Sequence, residues 1–225
     1  MKKFILLILS LLNTAVTAGF IAANPNDILP SHYGVNGVAD AYSSKWLFLL
    51  IPSVLILFGI IFAVYSAVKE KDEEYKSYRK YAERCIYAIF AFLMMIFWVL
   101  TVAVLNNSVQ IYNLFLPLIC IFLGCMFVFI SNLMPKIKQN FSFGVKTHAT
   151  LSSKAVWKKV HRLAAYTGVI GGIIAVALGV ISIFAAEAAS ALFFTSVLII
   201  IVSSLIPAVY GEVIYSKEKK SGSRE

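Results

Sequence analysis

The residues best able to bind a ligand or do chemistry lie near the start of the chain. They fall in ILPSHYGVNGVADAYSSKW, which begins at Ile28 and contains His32, Asp40 and Lys45, with Asp27 just before it. An imidazole and two carboxylates this close in sequence can meet, and three ligands are the minimum that a metal site needs, so metal binding is the less favoured alternative. The favoured interpretation is that His32 and Asp40 hydrogen-bond within the segment or face a ligand. We therefore predict no metal here.

The remainder of the chain has few residues suited to catalysis. The other two histidines are His148 and His161, and no HExxH, CxxC or GxSxG pattern occurs. The three cysteines, Cys85, Cys120 and Cys125, lie in apolar stretches and are typical of small buried hydrophobic residues. We predict that the protein is not an enzyme and carries no cofactor.

The elements that position these residues are long apolar stretches. The chain is 60% hydrophobic and 14% charged, whereas a soluble domain has about 25% charged residues. A helix that crosses a membrane needs roughly 20 apolar residues. Six stretches of this kind contain no Lys, Arg, Asp or Glu: Phe4–Ala23, Trp46–Val68, Cys85–Leu105, Ile111–Leu133, Ala164–Ala186 and Ala188–Tyr210. The sequence predicts an all-α integral membrane protein, a single membrane domain over residues 1–225 with six transmembrane helices.

The positions of the positive charges predict the orientation. If the N-terminus is cytoplasmic, the outer segments hold only Lys45 of the 20 Lys and Arg residues. All the others then fall before the first span, in inner loops 69–84 and 134–163, or in the tail 211–225. Basic residues concentrate on the cytoplasmic side of membrane proteins, so both termini are predicted to be cytoplasmic. The lysines are scattered over four segments without base-stacking aromatic residues, so we predict no direct nucleic-acid binding.

The first stretch also resembles a secretory signal. Lys2 and Lys3 precede an apolar run that ends in Val16-Thr17-Ala18, a pattern that permits cleavage after Ala18. Because the apolar run continues to Ala23, it is also long enough to be a retained span. Both outcomes leave the remaining topology unchanged.

One outer connection, residues 24–45, is long enough to hold structure of its own. Asn24-Pro25 favours a turn, and Asn36-Gly37 between two valines is typical of a two-residue β-hairpin turn. We expect a folded cap whose polar groups are half-buried among apolar neighbours. It either forms part of a ligand site or braces the helix ends, and the sequence leaves both open.

The two inner loops are predicted to be helical in part. The charged segment KEKDEEYKSYRKYAER, from Lys69, is expected to extend the second span or to lead into the third, with Tyr75, Tyr78 and Tyr81 at the lipid headgroups. In the second inner loop, Ser152 or Ser153 can cap a helix that starts near Lys154. We expect that helix to lie in the membrane interface before the fifth span.

Small and polar residues in the spans bear on packing and transport. Ala164, Gly168 and Gly172 are spaced to let a second helix approach closely, and intramolecular packing is favoured over a dimer contact. Asn113 and Asn132 lie toward span ends. Polar residues in mid-membrane, which a transporter would need, are expected to be missing.

Two segments together resemble the SdpI-like family of bacterial multi-pass membrane proteins. In the outer loop the resemblance lies in Pro30, His32, Gly37, Asp40 and Lys45 before a span. In the inner loop, FGVKTHATLSSKAVWKKVHR resembles a second family signature. The matching residues there are Gly144, Lys146, Thr147, Thr150, Leu151, Ser152 and Trp157. Lys146 stands where the family tends to have arginine.

The resemblance implies a function as well as a place in the bacterial cell membrane. The family includes immunity proteins against a secreted toxic peptide, and some hold a cytoplasmic helix-turn-helix repressor at the membrane. We therefore expect membrane lipid, an extracellular toxic peptide and such a repressor as partners. The outer residues would face the peptide and the inner residues the repressor. The alternative is a transporter or exporter of a peptide or small solute.

Overall fold

The computed structural model describes residues 4–34, 39–106 and 109–222. Within these residues six helices are long and apolar enough to cross a membrane, which confirms the predicted all-α architecture. They are α1 (Ile5–Ala23), α2 (Leu50–Val68), α3 (Glu73–Asn106), α4 (Val109–Leu133), α6 (Lys154–Phe184) and α7 (Ala189–Gly222), with a short α5 (His148–Ser152) between α4 and α6.

The charged segment after α2 leads into the third span, as one of the two alternatives predicted. A short turn separates the helices, and Asp72 accepts a hydrogen bond from the Tyr75 backbone N–H at 3.2 Å at the start of α3. The Lys69 ammonium donates to the other Asp72 oxygen at 2.7 Å. This hydrogen bond lowers the pKa of the Asp72 carboxyl.

The helix that was expected to lie in the membrane interface before the fifth span is not separate from it. Helix α6 begins at Lys154 and continues without a break to Phe184. The Ser153 hydroxyl caps it by accepting a hydrogen bond from the Val156 backbone N–H at 3.3 Å. No proline interrupts the helix, so the basic first three turns continue the direction of the span. The interfacial placement was therefore wrong, while the predicted serine cap is confirmed.

Two of the three tyrosines expected at the headgroups are instead in the core. Tyr75 and Tyr78 are each only 2% exposed and pack with Cys85, Met134 and Trp157. The prediction was wrong because the chain after α4 folds over the first turns of α3 and covers these rings. The beginning of α3 therefore serves as one wall of the inner end of the bundle.

Helices α4 and α6 approach one another at their glycines. A Cβ atom added to Gly124 would lie 2.6 Å from the Gly172 carbonyl oxygen, and one added to Gly172 would lie 2.7 Å from the Gly124 oxygen. The two backbones are thus in direct contact. At Gly171 an added Cβ would meet Ser203 of α7. The small residues of the fifth span therefore pack within the molecule, as predicted.

Helix α1 carries a buried polar stripe that the sequence analysis missed. Ser10, Asn13 and Thr17 all face the bundle, and the Ser10 hydroxyl donates to the Leu55 carbonyl of α2 at 2.8 Å. Asn13 is 5% exposed, and both polar atoms of its side chain lack a partner in the described part of the chain. The expectation that mid-membrane polar residues are missing was wrong.

The outer loop forms a β-hairpin. Strands β1 (Ile28–Tyr33) and β2 (Ala39–Ser44) pair antiparallel, with Ile28 opposite Ser44, and the pairing becomes irregular beyond Pro30. The predicted turn at Asn36-Gly37 lies outside the described residues. A 3₁₀ turn, Lys45–Leu49, then leads directly into α2.

Candidate ligand and partner sites

The two polar side chains at the centre of the outer hairpin pair with each other. His32 Nδ1 lies 2.5 Å from Asp40 Oδ1, and the two side chains are 68% and 54% exposed. The expected half-buried setting was therefore wrong for both residues. They project from a short two-stranded sheet, and no other described part of the chain covers them. The pair links the two strands, and both side chains remain accessible to solvent.

Lys45, in contrast, is buried and fastens the hairpin to the helix ends. It is 7% exposed. Its ammonium donates to the Asn24 carbonyl at 2.9 Å and lies 3.1 Å from the Asp27 carboxylate. The Asn24 side chain in turn donates to the Leu105 carbonyl at the end of α3, at 3.3 Å. Lys45 thus joins the ends of α1 and α3 to the hairpin.

Of the other outer residues singled out by the sequence, Pro30 is buried in β1, and Gly37 lies outside the described residues. Ile28, Tyr42 and Trp46 add exposed apolar and aromatic surface around the hairpin. Tyr and Trp are the residues that favour the boundary between lipid and water. The described outer residues therefore present an exposed, partly aromatic surface suited to the boundary of the membrane.

The inner loop, residues 134–163, folds around Asn140. The buried Asn140 side chain accepts hydrogen bonds from the backbone N–H groups of Ser142 and Phe143 at 2.8 and 2.7 Å, and donates to the Phe143 carbonyl at 3.0 Å. The loop then passes through Gly144, whose φ of 124° is a conformation that other residues rarely adopt. A local turn of this kind directs the chain back onto α6.

A stacked pair of rings holds the loop against α6. The Trp157 and His161 rings are 4.0 Å apart at an interplanar angle of 20°. Trp157 Nε1 donates to the Ile137 carbonyl at 2.8 Å, and His161 Nε2 accepts from the Val145 backbone N–H at 3.1 Å. His161 Nδ1 lies 3.0 Å from the Trp157 carbonyl and donates to it. These partners require a neutral imidazole with its proton on Nδ1.

The short helix α5 is held at both ends. Thr147 caps it, and Thr147 and Thr150 exchange hydrogen bonds between side chain and backbone at 3.3 and 2.8 Å. Gln139 donates to the Thr150 and Leu151 carbonyls at 2.7 and 2.9 Å. Glu212 of α7 accepts from the Ala149 backbone N–H at 3.1 Å. The helix is therefore fixed to both the loop and α7.

These contacts separate the inner residues singled out by the sequence into two groups. Gly144, Thr150 and Trp157 shape the loop, and the last two are buried. Lys146 and Ser152 are exposed, whereas Thr147 and Leu151 are half-buried. Only the second group presents side chains that a partner protein can reach.

Several residues of the inner site were not predicted from the sequence, notably Gln139, Asn140, His161 and Glu212. An Asn followed by Phe-Ser-Phe-Gly contains two turn-favouring residues, Ser142 and Gly144, so the role of Asn140 was open to prediction. The roles of Gln139 and Glu212 depend on segments far apart in sequence and had no local signal. In the described part of the chain, no three His, Cys, Asp or Glu residues come together as a metal site requires.

One stretch of the chain, from the inner loop into α7, is similar to a known protein family. Residues 136–211 match the model of the SdpI/YfhL protein family. The match covers about a third of the chain, from the inner loop through α6 to Gly211 of α7. No curated protein and no solved structure matches the chain. The match confirms the suspected resemblance over these residues and, with the six apolar helices, makes this a multi-pass membrane protein.

Proposed function

We propose that this SdpI-like chain is an immunity protein of the bacterial cell membrane that protects against a secreted, membrane-active peptide. The family match over residues 136–211 is the observation that carries the proposal. The absence of a catalytic motif in the sequence is consistent with a binding role. In this proposal the protein binds the peptide at its outer end and has no enzymatic activity.

The outer hairpin is the candidate surface for the peptide. In the described residues β2 pairs with a strand on one side only, and most of its residues are exposed. An extended peptide can pair with such a free strand edge through main-chain hydrogen bonds. His32 and Asp40 are exposed nearby. Their side chains supply one hydrogen-bond donor and one hydrogen-bond acceptor. The aromatic residues at the membrane boundary supply apolar contact for an amphipathic peptide.

The test separates peptide binding from bracing. Variants His32→Ala and Asp40→Ala are expected to lower peptide binding to the purified full chain, with survival of cells on added toxin falling in parallel. Thermal stability is expected to hold, because the pair is exposed and such pairs contribute little. Ser31→Ala is the matched control, since Ser31 is an exposed residue of the same strand.

Two outcomes contradict the hairpin as the binding surface. One is unchanged toxin tolerance in both variants. The other is a loss of stability that matches the loss of binding, because that result assigns His32 and Asp40 to bracing alone. Unchanged tolerance after deletion of the whole gene would contradict immunity itself.

The second part of the proposed function is signalling through a cytoplasmic helix-turn-helix repressor. Lys146 and Ser152, the two exposed residues of the inner loop set, are the proposed contacts. Lys146→Ala with Ser152→Ala is expected to abolish recruitment of the repressor to the membrane while the protein accumulates normally. Lys80→Ala, which removes an exposed charge at the same end of the bundle, is the control. Equal recruitment by wild type and variant contradicts this assignment.

Transport is the second candidate function, favoured by one observation. Asn13, near the middle of α1, is a buried amide without a partner among the described residues, and transporter sites lie near the midplane of the membrane. If the chain transports a solute, Asn13→Leu should abolish that flux. If it is only an immunity protein, Asn13→Leu should leave tolerance unchanged and should not destabilise the bundle, because the amide has no hydrogen bond to lose.

A further inference from the structure

A pocket of about 440 Å³ opens at the inner end of the bundle. Its walls come from three parts of the chain: Ser77 of α3, residues 135–139 after α4, and the first turns of α6. Trp157 and His161 form its floor. It is thus built from the same inner loop that the stacked rings hold in place, and its shape is set by the fold rather than by one flexible segment.

The charged residues that line this pocket are all lysines. They are Lys136, Lys138, Lys154 and Lys158. No carboxylate belongs to the lining, and none of the four ammonium groups has an ion-pair partner in the part of the chain that the structure describes. Some other cations at this end do have an ion-pair partner, as Arg79 has Glu83 and Lys159 has Glu218. Four unneutralised cations around one cavity favour an anionic occupant.

The floor of the pocket cannot supply a counter-charge. Trp157 Nε1 already donates to the Ile137 carbonyl, and both His161 nitrogens are engaged, with the Val145 N–H and the Trp157 carbonyl. The rings therefore offer their faces and edges rather than free polar atoms. The start of α6, at Lys154, adds the partial positive charge of a helix N-terminus. An occupant with a compact anionic group and an uncharged remainder suits these surroundings.

The pocket lies at the depth of the lipid headgroups. Lys136 follows the last residue of α4 by three positions. Lys158 precedes the apolar run that starts at Ala164 by six positions, about 9 Å along a helix. The headgroup layer of one leaflet is roughly 5–8 Å thick. Basic pockets between transmembrane helices bind the headgroups of anionic lipids at this level.

We propose that this pocket binds the phosphate-bearing headgroup of an anionic phospholipid from the leaflet at this end of the bundle. The phosphate diester lies among the four lysines, and the uncharged glycerol portion lies against the Trp157 and His161 rings. The cavity volume falls within the range of small-molecule sites, so it admits a headgroup and leaves the acyl chains in the bilayer. A free phosphate compound shares the recognised chemistry, and the experiment below separates the two sources.

The test measures lipid binding to the purified full chain by native mass spectrometry, with phosphatidylglycerol and phosphatidylcholine as probes. Wild type is expected to retain one phosphatidylglycerol in preference to phosphatidylcholine. K136Q/K154Q is expected to weaken phosphatidylglycerol binding about 30-fold, because each surface lysine contributes about fivefold. K71Q/K80Q removes the same charge from exposed positions at the same end that do not line the pocket. That control should change binding less than about twofold.

Two further variants keep the test decisive if K136Q/K154Q does not fold. K136R/K154R preserves the charge and should bind nearly as wild type does, whereas K138Q/K158Q removes the other two lysines and should weaken binding to a similar extent. Equal losses in K71Q/K80Q and K136Q/K154Q would overturn the proposal, because they would indicate diffuse surface charge. Displacement of the lipid by inorganic phosphate at about 1–10 mM would overturn the proposal that a lipid occupies the pocket. The occupant would then be a soluble phosphate compound.

Discussion

The outer hairpin and the inner loop use the same types of side chain in opposite ways. In the hairpin, His32 pairs with Asp40 at the surface, and both side chains remain more than half exposed. In the inner loop, His161 is buried, stacks on Trp157 and bonds to the backbone on both ring nitrogens. A histidine therefore stays available to a ligand at one end of the molecule and is committed to structure at the other.

The difference follows from burial. A buried polar group that loses its partner costs about 1–3 kcal/mol, whereas an exposed charged pair contributes about 0–1 kcal/mol. Changes in the inner loop should therefore act through stability, and changes in the hairpin through binding. The predictions that follow test this contrast.

The largest expected effect is an all-or-none difference in labelling between the two ends. Single cysteines at Ser31 and Glu187 should react with a membrane-impermeant thiol reagent on intact cells. Cysteines at Ser77 and Ser152 should react only after the membrane is opened. The native cysteines are first replaced with alanine: Cys85, Cys120 and Cys125. Labelling of Ser77→Cys from outside would reverse the predicted orientation.

The next largest effect concerns Gly144, where the backbone has positive φ. Gly144→Ala is expected to lower the free energy of unfolding by about 3 kcal/mol, because of backbone strain and a collision of the new methyl group with the Trp157 and His161 rings. Thermal unfolding in detergent measures the loss. Gly19→Ala is the control, since an added Cβ there meets nothing within 4 Å. An equally stable Gly144→Ala protein would show that the ring pair does not confine the loop.

Trp157→Phe should have a smaller effect on the inner loop. The phenyl ring retains stacking on His161 but cannot donate to the buried Ile137 carbonyl, so we expect a loss of about 2 kcal/mol. The same substitution at Trp46, an exposed residue of the outer end, should change the free energy of unfolding by less than about 0.5 kcal/mol. Similar losses at both tryptophans would remove the proposed contrast between the ends.

Within the outer end, Lys45 is expected to behave like an inner residue. Lys45→Met retains an apolar stem but loses the hydrogen bond to the Asn24 carbonyl, so a loss of about 1.5 kcal/mol is expected. Asp27→Ala should cost under about 0.5 kcal/mol, because the Asp27 side chain is 88% exposed. Comparison of the two melting curves shows whether burial, rather than the ion pair itself, fixes the hairpin to α1 and α3. Equal losses would favour the ion pair.

The smallest stability effect is expected for the exposed pair of the hairpin. His32→Ala and Asp40→Ala should each lower the free energy of unfolding by less than about 0.5 kcal/mol. The double variant should lose no more than either single one, since the two side chains share one interaction. A loss above about 2 kcal/mol in either variant would place the pair among the structural contacts and end the contrast with His161.

The sequence by itself determined the membrane architecture. Six apolar runs without charge must each form a helix in lipid, because every backbone polar group needs an internal partner there. Local signals also predicted a cap at Ser152 or Ser153 and a hairpin in the outer loop, since caps and turns depend on neighbouring residues only. The small residues of the fifth span predicted its close packing, because a glycine surface is the requirement for two backbones to touch.

The tertiary structure decided what the polar residues do. Tyr75 and Tyr78 carry a spacing that is equally typical of a headgroup face and of a buried one, and only the folding of the chain after α4 selected burial. The polar stripe at Ser10, Asn13 and Thr17 was hidden because hydroxyl and amide groups hardly lower the hydropathy of an apolar run. The lysine pocket joins residues 77, 136 and 158. Its charge pattern exists only where three distant segments meet, and no local window of the sequence contains it.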